Sequence, residues 1–92
     1  MFFFYILRCA DNTFYVGHTD NLESRTALHN AGFAAGYTAR RRPVMLVHSE
    51  AFNTQDEALS RERQVKRWSG QKKASLVTGD LRTLKRLSKR RH

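Results

Sequence analysis

Two short runs rich in aromatic and β-branched residues, 3–9 and 13–18, are separated only by Ala10-Asp11-Asn12. Runs of this kind around a turn-forming Asp-Asn pair predict an antiparallel hairpin. Its register decides which side chains share a face. Because side chains alternate along a strand, a two-residue Asp11-Asn12 turn would put Tyr5 and Tyr15 on opposite faces of the sheet. A three-residue loop with a bulge would bring both tyrosines to one face.

A chain of 92 residues, 40% of them hydrophobic, is enough for one globular core and predicts one domain. The only apolar run near the N-terminus, residues 2–7, follows no basic region, is too short to span a bilayer and ends at Arg8. The expectation is a soluble, cytoplasmic protein without a membrane partner. Cys9 is the sole cysteine, so neither an internal disulfide nor a thiolate zinc site can form. It reads as a buried strand residue; a catalytic thiol would need one of His18, His29 or His48 in reach.

The charge is unevenly placed. Residues 1–60 carry five basic and six acidic side chains, residues 61–92 twelve and two. A cationic surplus of this size is what a polyanion-binding segment needs, since neutralising phosphates releases condensed counterions. An anionic membrane surface is the lesser alternative, because Leu84 and Leu87 lie within the basic run. A merely solvating, repulsive helix face is the bland one.

Asp20-Asn21-Leu22-Glu23 has the form of a capping box, with Asp20 as cap, and predicts a helix over about 21–30 closed by Gly32. At about 100° per residue, Arg25 and His29 fall between Leu22 and Leu28, on the inward arc. Residues 34–42 read as a loop carrying Tyr37, Thr38 and three exposed arginines, after which Pro43 opens a strand over 44–51. A second capping box, Thr54 to Glu57, starts a helix running to about Trp68. Its apolar arc is Ala58, Leu59 and Val65, and Glu62 projects into the middle of that arc. An inward carboxylate is costly unless a cation meets it. Arg25, Arg61 or a metal ion are the candidates. Ser69 and Gly70 break the helix, a further helix covers 72–77, and a basic segment follows from Asp80; no repeat or linker divides the chain.

The run Tyr15-Val16-Gly17-His18-Thr19-Asp20-Asn21-Leu22, followed by Arg25 and His29, resembles the second half of the GIY-YIG signature and its following helix. Tyr37-Thr38, Arg41-Arg42-Pro43, Leu46-Val47, Glu50, Phe52, Ala58, Glu62, Lys66, Trp68 and Lys72-Lys73 extend the match. The series is similar to small stand-alone bacterial GIY-YIG proteins of the UPF0213 kind, related to the nuclease domain of the excision-repair endonuclease. It spans about residues 3–77. The first element departs from the pattern, reading Phe3-Phe4-Tyr5 in place of Gly-Ile-Tyr. The late asparagine of some larger members has no counterpart either, since Asn53 precedes Glu62.

The resemblance implies an α+β fold, a three-stranded antiparallel sheet flanked by helices over residues 1–79, with 80–92 as a basic helical tail. It implies both tyrosines on one face, and therefore the three-residue loop. It also implies a metal-dependent endonuclease cutting phosphodiester bonds of structured or damaged DNA, in repair or recombination. By carry-over, Glu62 would hold a single divalent ion, Mg²⁺ or Mn²⁺, as a hard carboxylate should. Arg25 would fork onto phosphoryl oxygens, a role its planar donors suit. Tyr15 would accept or relay the proton of the attacking water, with Tyr5 placing or sharing that role; near pH 7 a phenol needs a cationic neighbour to do so. His18 and His29 would assist proton transfer or serve as hydrogen-bonded structural residues.

Gly17 reads either as a bulge or as room for a phosphate to approach the backbone. With His18, Arg41, Arg42, Lys66, Lys72 and Lys73 it makes up the expected phosphate-binding set. Trp68 is read as core in preference to a base-stacking residue. DNA is the favoured substrate and RNA the alternative. Without a base-reading element, selection falls to nucleic-acid structure or to a protein partner. Two other classes compete. One is a non-catalytic nucleic-acid-binding module, against which the carboxylate of Glu62 argues, since it repels phosphate unless a metal intervenes. The other is a nuclease component of a larger repair complex.

Overall fold

The computed structural model describes residues 1–79, so the expected helical tail over 80–92 lies outside the described residues. The element order is β1 (Phe2–Arg8), β2 (Phe14–Thr19), α1 (Leu22–Ala31), α2 (Gly36–Ala39), β3 (Met45–Phe52), α3 (Gln55–Lys66) and α4 (Gly70–Thr78). The three strands form one antiparallel sheet in the order β2-β1-β3, the α+β arrangement expected.

The hairpin has the longer of the two loops considered. Cys9 N–H bonds Thr13 O at 2.8 Å and Asn12 N–H bonds Cys9 O at 2.9 Å, leaving Ala10, Asp11 and Asn12 as the loop. Asn12 takes the left-handed conformation at φ 66°, which asparagine tolerates better than most residues. Asp11 Oδ1 accepts from the Thr13 amide and hydroxyl, bracing the turn. The resulting register pairs Tyr5 with Gly17 and Leu7 with Tyr15, so both tyrosines share a face.

The central strand is buried on both sides. Phe4 and Ile6 join Val16 of β2 and Val65 of α3, with Phe14, Val47, Phe52, Trp68, Leu76 and Val77 packed around them. On the opposite face Tyr5 and Leu7 join Cys9 and Val44, flanked by Tyr15 and Leu22. Burying each large apolar side chain contributes roughly 1.5–3 kcal/mol. Between Ile6 and Leu7 the pairing to β3 slips by one residue, a bulge at Val47.

Local signals decide most boundaries. Thr54 and Glu57 form the expected capping box, with Glu57 N–H donating to Thr54 Oγ1 and Thr54 N–H to Glu57 Oε1, both at 3.2 Å. Gly32 closes α1 at φ 86°, and the Phe33 amide reaches back to Leu28 O at 3.0 Å. The N-cap of α1 is Asn21, not Asp20. Asn21 has the extended backbone a cap requires and accepts from Ser24 N–H at 3.0 Å, while Thr19 Oγ1 takes its own amide at 3.1 Å. Four residues of the expected 34–42 loop form the short helix α2, β3 begins at Met45, and α4 starts at Gly70 behind a Ser69 cap.

The middle of α3 is clamped to β3. Arg61 Nε and Nη2 donate to the two carboxylate oxygens of Glu50 at 3.0 and 3.2 Å, and His48 Nε2 lies 2.8 Å from Glu50 Oε2. Burial works against the Glu50 charge, but the bonds from Arg61 and His48 outweigh it and hold the carboxyl below its usual range.

Because α3 carries the inward Glu62, its first turn matters to the site. Thr54→Ala is expected to lower stability by about 1 kcal/mol, read as a reduced urea midpoint at unchanged slope.

Candidate active site

The hairpin register distributes the site over the two faces of the sheet at the free edge of β2. Tyr5 and Tyr15 stand on one face beside α1. His18, opposite Phe4, stands on the other beside α3. Glu62 from α3 meets His18 there, Oε1 to Nδ1 at 2.8 Å. The carboxylate can only accept, so Nδ1 carries the proton. This partner answers the question left by an inward carboxylate. Arg61 is engaged with Glu50 instead, and no ion pair joins Arg25 to Glu62 among the described residues.

Arg25 extends from an exposed position of α1, not the buried arc expected, and its guanidinium reaches the phenols, where it favours ionisation of both Tyr5 and Tyr15. His29, one turn on, is 1% exposed. Its Nδ1 lies 2.7 Å from Thr38 Oγ1, and that hydroxyl already donates to Ala35 O at 3.1 Å. A hydroxyl has one proton, so Thr38 accepts from Nδ1–H, and Nε2 is left to accept from the Tyr5 hydroxyl at 2.9 Å. A directed chain results: Tyr5 to His29 to Thr38 to the Ala35 carbonyl. Burial and the charge of Arg25 both lower the pKa of His29, keeping the imidazole neutral.

The tyrosines are not equivalent. Tyr5 is buried and bonded to His29, and burial first, then Tyr15, raises its pKa far above the ordinary phenol value, with Arg25 opposing. Tyr15 is half-buried, packs its ring 4.9 Å from that of His29 and 6.5 Å from that of Tyr5, and its hydroxyl has no protein partner among the described residues. Its pKa is also raised, by burial and then by Glu62, with Arg25 again opposing. The field at Tyr15 therefore favours the neutral phenol: of the two cations expected to activate it, Arg25 and a metal ion, Arg25 is outweighed by burial and Glu62.

Gly17 lies under the Tyr5 ring. A Cβ there would sit 2.5 Å from the Tyr5 oxygen and 2.7 Å from Cζ, so the close approach this glycine admits is that of the ring. Of the expected phosphate-binding residues, Lys66 and Lys73 border a cleft beside Tyr15. The others have structural engagements. Arg41 is partly buried, bonds Asp11 Oδ2 at 3.1 Å and Tyr37 O at 2.9 Å, and covers the Tyr37 ring at 3.8 Å. Arg42 donates to Ala39 O and Asn30 O. Lys72 is 6% exposed with its ammonium 4.2 Å from the Trp68 centroid, and Trp68 itself packs on the core as expected. Cys9 is buried with its pKa raised by burial, a poor nucleophile.

No group of three or more His, Cys, Asp or Glu side chains is clustered for metal binding among the described residues. Glu62 nonetheless suits one hard cation. His18 occupies Oε1, Oε2 has no protein bond among the described residues, and such ions complete their shell with water and phosphate oxygens.

Sequence reasoning missed Thr38 as the anchor of His29 and His18 as the partner of Glu62. The parity of β2 carried a signal for the second, since His18 falls on the Phe4 face toward which Glu62 turns.

This sheet, with its paired tyrosines, helix-borne arginine and histidine and late glutamate, has the makings of a GIY-YIG domain, and the GIY-YIG catalytic domain matches residues 1–75 of the chain. The chain belongs to that family, among its small UPF0213 proteins. It is 48% identical over 73 residues to a UPF0213 protein of Staphylococcus haemolyticus, covering 79% of this chain and 89% of the relative. It is 54% identical over 65 residues to one of Pediococcus pentosaceus, covering 71% and 68%. Among solved structures, the solution structure of a UPF0213 protein from Bacillus halodurans matches with TM-score 0.54 at 39% identity, over 85% of this chain and 84% of that one. A protein from E. faecalis matches with TM-score 0.55 at 43% identity, over 86% and 85%.

Two outcomes test this geometry. Gly17→Ala should cost about 1–3 kcal/mol by overpacking Tyr5, seen in urea unfolding, because the obstruction is a ring held at both ends. For His29, the unfolded chain binds a proton near the ordinary value of 6.5 while the folded chain resists it. Stability is therefore complete above that value and falls as the pH drops through it. His29→Gln, though less stable throughout, should lose that acid slope when urea midpoints are compared across the range.

Proposed function

We propose that the chain is a metal-dependent endonuclease that cuts phosphodiester bonds of DNA in the cytoplasm, in repair or recombination. The observation that carries this reading is the convergence of two tyrosines, one arginine and one carboxylate at a single open edge of the sheet, with Arg25 and Glu62 both acting on the same two phenols. Hydrolysis of a phosphodiester requires a deprotonated water, charge neutralisation at phosphorus and help for the leaving oxygen.

Arg25, exposed and facing the phenols, forks onto non-bridging phosphoryl oxygens. Tyr15, whose hydroxyl has no protein partner among the described residues, takes the place next to the attacking water. Tyr5 is tied to His29 Nε2, which fixes its hydroxyl and so orients the tyrosine pair. Thr38 holds His29 in the tautomer that accepts. Glu62 would hold a Mg²⁺ or Mn²⁺ ion, oriented by the His18 bond, and that ion supplies positive charge for the phosphate and for acidifying water. Neutralising Glu62 also removes a cause that raises Tyr15.

The raised phenols support a second reading, a module that binds nucleic acid without cutting it. Cleavage of labelled single-stranded, duplex and branched DNA with Mg²⁺, Mn²⁺ or EDTA decides between them. The wild type should cut only with metal, while Arg25→Ala and Glu62→Ala bind but lose at least about 100-fold in rate, the scale of removing one electrostatic stabiliser. Equal binding by all three proteins with no cutting of any substrate gives the binding module.

A further inference from the structure

Beside Tyr15, a cleft of about 400 Å³ runs along the free edge of β2, lined by Phe14, Tyr15, Val16, Tyr37, Lys66 and Lys73. A second hollow shares Phe14, Tyr37 and Lys73 and continues it toward Gly70 at the start of α4. Its position follows from the topology. β2 is an outer strand, so α2 brings Tyr37 from one face of the sheet while α3 and α4 bring Lys66 and Lys73 from the other.

The lining pairs two chemistries. Phe14 is half-buried and Tyr37 is 36% exposed, both in reach of the cleft. Tyr37 is held in place before any ligand arrives: Arg41 lies over its ring at 3.8 Å while bonded to the Tyr37 carbonyl and to Asp11, and the Tyr15 ring stands 6.2 Å away. Pre-set rings lose little entropy on stacking. Neither Lys66 nor Lys73 pairs with a carboxylate among the described residues. Burial and the nearby Lys66 lower the pKa of Lys73, a charge that an anion in the cleft would relieve.

We propose that this cleft seats one unpaired nucleotide of the strand being cut, its base against Phe14 and Tyr37 and its phosphate against Lys66 and Lys73. A base can lie on those rings only when it has left the duplex stack, so the seat selects strands with an unpaired nucleotide next to the scissile bond. The identity of the strand rests on the nuclease reading; the seat itself does not.

Binding is therefore measured in EDTA, where nothing is cut, using a short single-stranded oligo-dT with one 2-aminopurine, and its duplex as the comparison. The wild type should alter the 2-aminopurine fluorescence on the single strand but not on the duplex. Tyr37→Ala should weaken single-strand binding about tenfold, the scale of one stacked base, and lose the fluorescence change, while Tyr37→Phe keeps both. Lys73→Gln, a change with little risk to the fold, should reduce the slope of log affinity against log salt by about 0.7, one phosphate on a single strand. Unchanged binding and slope in Tyr37→Ala and Lys73→Gln, or equal effects on duplex, overturn the seat and leave the nuclease reading intact. Loss of binding with the expected pattern, in a protein that cuts nothing, keeps the seat and removes the nuclease reading.

Discussion

The register between β1 and β2 is the constraint from which the site descends. A loop of three residues, ending in the left-handed Asn12, sets Tyr15 opposite Leu7 and Gly17 opposite Tyr5. A loop one residue shorter would turn Tyr15 toward α3 and leave Tyr5 alone on its face. With the register as it is, the Tyr5 ring occupies the space a side chain at Gly17 would need, and its hydroxyl is delivered to His29. The glycine is needed because a ring and a Cβ cannot share that space.

Placing the site at a sheet edge makes it accessible from both helix layers. The carboxylate of Glu62 and its His18 partner come from the layer over Phe4, and Arg25 and His29 come from the layer over Tyr5. The two phenols sit between opposed charges. Burial adds to the carboxylate and prevails over the guanidinium, so the resting site holds neutral tyrosines and a neutral imidazole joined by directed hydrogen bonds.

The arginine-rich loop shows how charge can be structural. Arg41 ties Tyr37 to the hairpin turn through Asp11, and Arg42 ties α2 to the end of α1. These bonds hold Thr38 in place and thereby the tautomer of His29. The loop thus connects the turn that sets the register with the histidine that reads it.

The elements and their inward faces were legible in the chain because they rest on local physics: aromatic strands around Asp11-Asn12, the Thr54 and Glu57 capping box, Gly32 as a stop, and the apolar arc into which Glu62 intrudes. The resemblance to the GIY-YIG pattern pointed to the tyrosine pair, Arg25 and Glu62 as candidates. Partners across the fold were not legible. His18 lies 44 residues from Glu62, Arg61 chose Glu50 over its neighbour, Lys72 went to Trp68, and Asn21 displaced Asp20 as cap. Periodicity states which face of an element is turned inward, but not which group of another element stands there. That choice follows from strand order, register and the packing of helices on a finished sheet, where a few ångströms decide whether a charge meets a carboxylate, a ring or water.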